Sequence, residues 1–471
     1  MLNASIRTAL RDHKGENGLL SQDGQILSFA RLSETITSLT ATLSHQGIGP
    51  NQNVVALVDN IALRVCLWFA ILRRGANVVL VDKLSNLPET GFAVDHVIAL
   101  PGQDVATGAK FHTFSADWLT PAREDAEPAD VSGSQIIYGS SGSTGFPKFM
   151  QTPADTVCAT AQVLNAVRPD LRHPALICFP TTTYTALVSI ISCLVQGYGV
   201  TFPMGSTEAT LQAARDFGVA ALGGSPQNLM DVVRAVDSGC ASPDFSSVSY
   251  TGAAMEQAEL LHAFLTFGTP IRVVAGTSET GPFAMGAFEG EEVPLGWAGS
   301  LLPHVKWRLL PVEGNIADLP VGAGRLAILV PEPLRLKGYL GNRPIYDAEG
   351  WFNSGDIVTV SHAGEICFHG RSDFLINIGG SKLSPERIER FVLELPDVRD
   401  VAAVPLPGNG ADSFGLVIVP CGDFNRVKIC DALAELSLHV REDNVRVVSE
   451  LPTLASGKLD RHALRTAWAD G

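Results

Sequence analysis

The sequence is poor in net positive charge. Its 34 lysines and arginines stand against 49 aspartates and glutamates, a formal net charge of -15. That balance argues against bulk attraction to nucleic acid, which recruits basic surfaces; solubility is its plainest consequence. No secretory leader is expected, since Met1 to Gly15 carries charges throughout and has no apolar centre. Long hydrophobic runs are lacking too. The longest, around Thr185 to Val195, is too short to span a bilayer and reads as a buried helix. The eight cysteines, at positions 66, 158, 178, 193, 240, 367, 421 and 430, never take C-x-x-C spacing. Neither a zinc site nor a disulfide framework is suggested, and reduced core thiols in the cytoplasm are the expectation. Three signatures are missing: G-x-x-x-x-G-K-[ST], a G-x-G-x-x-G between strand and helix, and G-x-S-x-G. Their absence sets aside a Walker loop, a dinucleotide fold and a nucleophile elbow. There is no internal repeat.

What is present is ample core material. The 471 residues are 46% hydrophobic and 18% charged, a globular composition long enough for two to four folding units. Strand-length apolar segments alternate with helix-length ones. Asn53 to Val58 reads as a strand, Ala62 to Arg73 as a helix and Asn77 to Val81 as a strand. Ala175 to Phe179, Val219 to Leu222, Ser247 to Tyr250 and Ile271 to Val274 read as further buried strands. Such alternation predicts βαβ units and a largely parallel sheet. After about Leu295, short strands such as Val305 to Leu310 and Gly324 to Val330 predict a β-rich subdomain. Beyond Gly370-Arg371-Ser372-Asp373 the pattern is α+β. It has helices over Pro385 to Leu395 and Arg426 to Leu438, a hairpin of Val401 to Pro405 with Phe414 to Val419 around Gly408-Asn409-Gly410, and a strand at Val445 to Val448. The expected fold is α/β: a large N-terminal domain, residues 1–371, of layered sheets plus the β-rich subdomain. A small α+β C-terminal domain, 372–471, follows it.

The segment Tyr138-Gly139-Ser140-Ser141-Gly142-Ser143-Thr144-Gly145-Phe146-Pro147-Lys148 is the richest in chemistry. A short apolar strand enters it. A helix is expected to leave it, with Thr152 as N-cap and Pro153 at the first helical position. Three glycines let the backbone approach a ligand, four hydroxyls add donors, and Lys148 adds positive charge. Together they suit polyphosphate.

This segment resembles the signature S-G-[ST]-T-G-x-P-K of the adenylate-forming superfamily: acyl-CoA synthetases, peptide-synthetase adenylation domains and luciferases. Four further motifs follow in the family's order. Ala275-Gly276-Thr277-Ser278-Glu279 resembles Y-G-x-T-E, Gly350-Trp351-Phe352-Asn353-Ser354-Gly355-Asp356 resembles G-W-x-x-T-G-D, and Gly370 to Glu389 resembles the G-R-x-D hinge motif. Leu451 to Arg461 resembles P-x-T-x-x-G-K-x-x-R, with Leu454 in place of the threonine. Asn377 replaces a frequent lysine, and Ala275 an aromatic that stacks on adenine.

The resemblance implies roles. Ser140, Ser141, Gly142, Ser143, Thr144, Gly145 and Lys148 would bind the phosphates of ATP. Ala253, Ala275, Gly276 and Thr277 would surround the nucleotide. Ser278 would contact the α-phosphate. Glu279 would help hold Mg²⁺, with Thr144 also on the metal side. Asp356 would take the ribose hydroxyls and Arg371 would also reach the nucleotide. Lys458 would bridge the carboxylate and the α-phosphate as the main catalytic group. Asp373 would be the hinge of a mobile small domain, whose rotation brings the segment around Gly380 to the thiol tunnel.

The implied reaction joins a carboxylic acid to AMP and then to a thiol, with CoA as the default acceptor. A carrier-protein phosphopantetheine, acting in trans, is the rival. Transfer to an amine and a non-catalytic nucleotide-binding relative are the remaining alternatives. The expected acid pocket includes Tyr184, Gly224, Thr251 and Gly252; Tyr184 reads equally as a packed aromatic. Pro180 follows Phe179 where amino-acid-activating relatives carry an aspartate, which argues against an α-amino acid.

Overall fold

Runs of valine and isoleucine with both faces to bury lay down a parallel sheet. In the computed structural model, Asn53–Leu57, Asn77–Leu80, His96–Ala99 and Lys110–Thr113 pair in parallel, and Gln135–Ser140 lies parallel to Asn77–Leu80. Lys148–Pro153 then pairs antiparallel with Gln135–Ser140, and Gly338–Tyr339 antiparallel with Lys148–Pro153, closing a seven-stranded sheet. The structure describes residues 1–20, 24–87, 92–102, 108–120, 133–140, 148–168, 171–312, 315–316, 320–341, 344–378, 381–406, 414–435, 438–453 and 459–469.

The chain divides into two units. The first comprises Met1–Ser140, Pro147–Glu292 and Val330–Asp347. Besides the seven-stranded sheet it holds a second, ordered Gly281–Phe288, Ile271–Thr277, Ser247–Tyr250, Ala221–Gly224, Ala175–Ile177, Val200–Thr201, Asn17–Leu20 and Ile26–Ser28. All its pairings are parallel except the two outermost. Helices Leu2–Asp12, Phe29–His45, Ile61–Arg73, Ala154–Val167 and Tyr184–Val195 share one apolar core with a face of each sheet. Val54, Val78 and Ile136 enter it from the first sheet, Ala175, Ile177 and Ala221 from the second. Ile61–Arg73 is buried nearly all round, as a helix inside such a layer must be; Asn60 caps it, its side chain accepting from Leu63 N at 3.0 Å. Val55, Val79, Val97 and Ile137 point to the other face of the first sheet and form a separate cluster. Each such side chain withdrawn from water contributes about 1.5–3 kcal/mol.

The second unit includes Val293–Leu329 and Ala348–Gly471. Strands Lys306–Leu310, Gly324–Leu329, Trp351–Val360, Glu365–Arg371 and Trp297–Leu301 form an antiparallel array. Next comes an α+β cluster. Val398–Pro405 pairs antiparallel with Phe414–Pro420, which pairs parallel with Val445–Val447. Helices Pro385–Leu393 and Arg426–Glu435 bury Ile388, Val392, Ile429 and Leu433 in its core. The hairpin tip at Gly408-Asn409-Gly410 lies outside the described residues. No helix among the described residues is long and apolar enough to cross a membrane.

Two sequence expectations are corrected. A helix follows, but one residue late: the strand Lys148–Pro153 runs straight into Ala154–Val167, so Pro153 is the N-cap and Thr152 still belongs to the strand. Thr152 is fully buried and its hydroxyl donates to Tyr138 Oη at 3.1 Å, so it is spent across the sheet, not on a helix end. Ile271 to Val274 is also longer than expected, running to Thr277 and returning antiparallel through Gly281–Phe288.

Two buried polar clusters give predictions. His96 and His112 face each other across paired strands, with His96 Nδ1 2.9 Å from His112 Nε2 and His112 Nδ1 3.1 Å from Gln46 Oε1. One proton arrangement satisfies both contacts: His96 Nδ1–H donates to His112 Nε2, and His112 Nδ1–H donates to Gln46 Oε1. A second proton on His112 would meet a donor. Burial, with His96 and Lys110 nearby, pushes His112 down to about 4. The unfolded chain therefore binds more protons here, so stability falls as pH drops from about 6.5 towards 4. Melting temperature followed against pH will show a shallower acid limb in His112→Gln than in the parent.

Arg461 is the second. Its guanidinium reaches Glu389 Oε1 at 2.6 Å, Glu389 Oε2 at 2.8 Å and Glu386 Oε1 at 3.1 Å, and Glu389 also accepts Ala403 N. Arg461→Ala leaves Glu389 buried without its cation, a loss of about 3–5 kcal/mol for pairs of this kind. Urea denaturation will show a lower midpoint for Arg461→Ala, and Glu389→Gln in that background will recover part of it.

Candidate active site

Parallel strands in matched register present their carboxyl ends at one edge, where open α/β sheets bind ligands. In the second sheet, Gly224 is opposite Tyr250 and Tyr250 opposite Val273. The segments leaving that edge are Cys178-Phe179, Thr251-Gly252-Ala253 and Ala275 to Glu279. Gly252 and Ala253 are exposed there, and Thr251 N donates to Gly224 O at 3.2 Å. Within this unit the topology thus gathers Gly224, Thr251, Gly252, Ala253, Ala275, Gly276, Thr277, Ser278 and Glu279, which are scattered in sequence.

Ser278 and Glu279 sit in the turn between Ile271–Thr277 and Gly281–Phe288, both half-buried. A bulge falls between Ala275 and Gly276, and a Cβ on Gly276 would come within 2.7 Å of Gly281 O, so only glycine fits. Thr280 Oγ1 is 3.3 Å from Thr277 N and 3.1 Å from Thr277 Oγ1, and donates to Gly281 O, which braces the turn from within.

Two tyrosines brace it from outside. Tyr339 Oη donates to Glu279 Oε1 at 2.9 Å, and Tyr346 Oη donates to the Glu279 carbonyl at 2.7 Å. Tyr346 Oη also accepts Leu336 N at 3.0 Å, and burial pushes this phenol up to about 12, so it remains a donor. Tyr339 is positioned by sheet pairing. Lys337 N and Leu340 N donate to Gln151 O and Phe149 O, which sets Tyr339 opposite Met150 on the strand that begins with Lys148. Lys148 Nζ lies over the Tyr339 ring, 5.8 Å from its centroid. Ammonium, ring and carboxylate therefore stand in series.

Sequence reasoning missed Tyr339 and Tyr346. The available signal was slight: two of only six tyrosines in the chain fall within one short segment.

A third pair lies behind. Tyr184 stacks on Tyr138 with ring centroids 5.2 Å apart, and Tyr184 Oη is 2.8 Å from Thr160 Oγ1. Tyr184 is 6% exposed and its hydroxyl is engaged, so the structure gives it to packing. Burial raises both phenols above their ordinary range.

Gly224 and Gly223 differ in a similar way. A Cβ on Gly224 would stand 2.8 Å from Asn228 Cβ, because the capping box of helix Pro226–Asp237 closes against it. At Gly223 the nearest atoms, Phe179 Cε2 and Ser249 Oγ, are 3.8 Å away. Glycine is thus required at Gly224, whereas Gly223 would accept a Cβ at ordinary contact distance. Cys178, beside it, is pushed up to about 12 by burial and by Asp231, so it is a packed thiol and not a nucleophilic thiolate.

In the second unit, Asp356 and Arg371 are opposite one another on antiparallel strands, with Arg371 Nη1 3.2 Å from Asp356 Oδ1. Arg371 Nη2 also reaches Asp373 Oδ2 at 2.9 Å. One guanidinium thus links the expected ribose and hinge carboxylates. Asp460 caps the last helix by accepting His462 N and Ala463 N, and Thr453 bridges to Leu459. Lys458 itself lies outside the described residues, as do Ser141, Gly142, Ser143, Thr144, Gly145 and Gly380. Ser140 is described only as the last backbone position of its strand.

Comparisons with known proteins bear on the family and the fold. Residues 6–340 match the model of the AMP-binding enzyme family. A 2-succinylbenzoate–CoA ligase of Listeria monocytogenes is 25% identical over 94% of this chain and 95% of its own length. A feruloyl-CoA synthase of Amycolatopsis is 27% identical over 94% of each. The structure of o-succinylbenzoate CoA synthetase from Bacillus subtilis with its acyl-adenylate intermediate superposes with a TM-score of 0.81 at 17% identity, covering 98% of this chain and 97% of that one. The chain belongs to the AMP-binding enzyme family and is an adenylate-forming ligase.

Proposed function

We propose that the chain condenses a carboxylic acid with ATP to an acyl-adenylate and passes the acyl group to the thiol of CoA. The observation that carries this reading is the series Lys148, Tyr339 and Glu279. It sets a cation and a fixed carboxylate beside the strand that leaves the phosphate-type loop. Both named relatives make CoA thioesters, which supports CoA as acceptor.

In the first half-reaction a carboxylate oxygen attacks the α-phosphorus and pyrophosphate leaves. Two anions must meet, so catalysis consists mainly of charge neutralisation and positioning. Lys148 draws on the outer phosphates and steers the departing pyrophosphate. Ser278 donates to the α-phosphate. Lys458 neutralises the reacting oxygens. Donors of this kind cost roughly 3–4 kcal/mol each when removed. Glu279 fits Mg²⁺, which takes one or two carboxylates and completes its shell with phosphate and water. Its half-buried side chain already accepts a hydrogen bond, as an ionised carboxylate does. Bound there, with Thr144 alongside, the ion would neutralise phosphate charge. Asp356 takes the ribose hydroxyls and Arg371 the nucleotide.

In the second half-reaction the thiol sulfur attacks the acyl carbon and AMP leaves. Residues 372–471 act as a mobile domain hinged at Asp373, which exchanges Lys458 for the segment around Gly380. The acid lies beside Phe179, Gly223 and Thr251, where the absence of an aspartate after Phe179 disfavours α-amino acids. Eight free thiols suit the reducing cytoplasm.

Lys458→Ala will abolish acid-dependent ATP–pyrophosphate exchange and still convert chemically made acyl-adenylate to thioester. Normal exchange in that variant would sink the role given to Lys458. A panel of aryl, short-chain and medium-chain acids, each offered CoA, phosphopantetheinyl carrier protein and an amine, and read by mass spectrometry, will show acyl-CoA as the main product. Exclusive loading of the carrier would transfer the proposal to a carrier-protein ligase.

A further inference from the structure

Tyr339 belongs to none of the five motifs, yet it touches two groups that the proposed reaction needs. Its hydroxyl donates to Glu279 Oε1 at 2.9 Å, and its ring lies under Lys148 Nζ at 5.8 Å. Its backbone is locked in the sheet by the bonds of Lys337 and Leu340 to the Lys148–Pro153 strand. Any movement of that strand is therefore felt by the tyrosine. Tyr346 holds the Glu279 carbonyl from the same segment, so backbone and side chain of Glu279 are both anchored to residues 336–346.

We infer that Tyr339 is a positioning residue: it fixes the Glu279 carboxylate for Mg²⁺ and keeps it in register with Lys148. The inference rests on the reading of Glu279 as the metal-side carboxylate.

The chemistry follows from geometry. A flexible glutamate binding a metal gives up rotamer freedom on binding. A phenol donating to one oxygen pays that cost beforehand and leaves the carboxylate's remaining lone pairs for the ion. The donor is neutral, so it does not cancel the carboxylate's charge. The ring face, with its negative quadrupole, attracts the Lys148 ammonium. One side chain thus contacts both the Lys148 ammonium and the Glu279 carboxylate.

The test is calorimetric ATP binding at graded Mg²⁺, which needs neither the acid nor turnover. Tyr339→Phe keeps the ring and removes the hydroxyl. It is expected to raise the Mg²⁺ needed for half-maximal enhancement of ATP binding about tenfold, the weight of one hydrogen bond to a charged group. Affinity for metal-free ATP should stay within about twofold, because the ring under Lys148 remains. Tyr339→Leu removes both features and should weaken metal-free ATP as well. In a Glu279→Gln background, Tyr339→Phe should add no further shift in Mg²⁺ demand.

An unchanged Mg²⁺ demand in Tyr339→Phe overturns the inference. So does an equal loss with and without metal, which would mark Tyr339 as merely structural. So does a full additional shift in the Glu279→Gln background. Parent protein that binds Mg²⁺–ATP normally but shows no acid-dependent pyrophosphate exchange overturns the adenylation reading instead, a separate outcome from these.

Discussion

Parallel pairing in matched register is the constraint on which the rest of the first unit depends. Because Ala221, Ser247 and Ile271 begin neighbouring strands that run the same way, their carboxyl ends finish together. Backbone hydrogen bonds enforce that alignment, and burial of both faces makes slippage costly, since a one-residue slip turns every side chain to the opposite face. Gly223, Thr251 and the Glu279 turn meet for this reason alone. The seven-stranded sheet repeats the device, delivering Ser140 and Lys148 to the same kind of edge through a parallel strand and its antiparallel return.

On this frame the polar groups at the edge are held by more than their own motif. Glu279 is fixed by tyrosines from a segment far along the chain. Thr152 serves Tyr138, and Tyr138 stacks on Tyr184. Four of the six tyrosines thus surround the Glu279 turn and the strand pair that carries Lys148. Preorganisation of this kind suits a reaction whose barrier is the approach of like charges, because fixed groups need not reorganise as charge develops.

The second unit carries two arginine-centred charge clusters, one partly exposed and one largely buried. Arg371 joins Asp356 and Asp373, and Arg461 joins Glu386 and Glu389. Arg461 and Asp460 anchor the helix that follows the Gly457-Lys458 stretch. Their geometric specificity, with a planar fork meeting carboxylate oxygens, is why lysine would not serve equally.

Much of this was legible in the residues. Periodicity and β-branched runs marked the strands at 53–57, 77–80 and 247–250 closely, because local burial on both faces imprints itself on composition. Motif spacing singled out Lys148, Ser278, Glu279, Asp356, Arg371 and Lys458 as candidates for the proposed phosphate and ribose chemistry; all but Lys458 are among the described residues. Only the tertiary structure decided the remainder. Thr152 looked like a helix cap until its partner across the sheet was known. That Gly224 has no room for a side chain follows from the capping box of the next helix, which closes against it. Tyr339 and Tyr346 carried no motif at all. Tyr339 is placed by strand pairing between residues nearly two hundred positions apart and Tyr346 by its bond to the Glu279 carbonyl, and a contact made by folding leaves no local pattern to read.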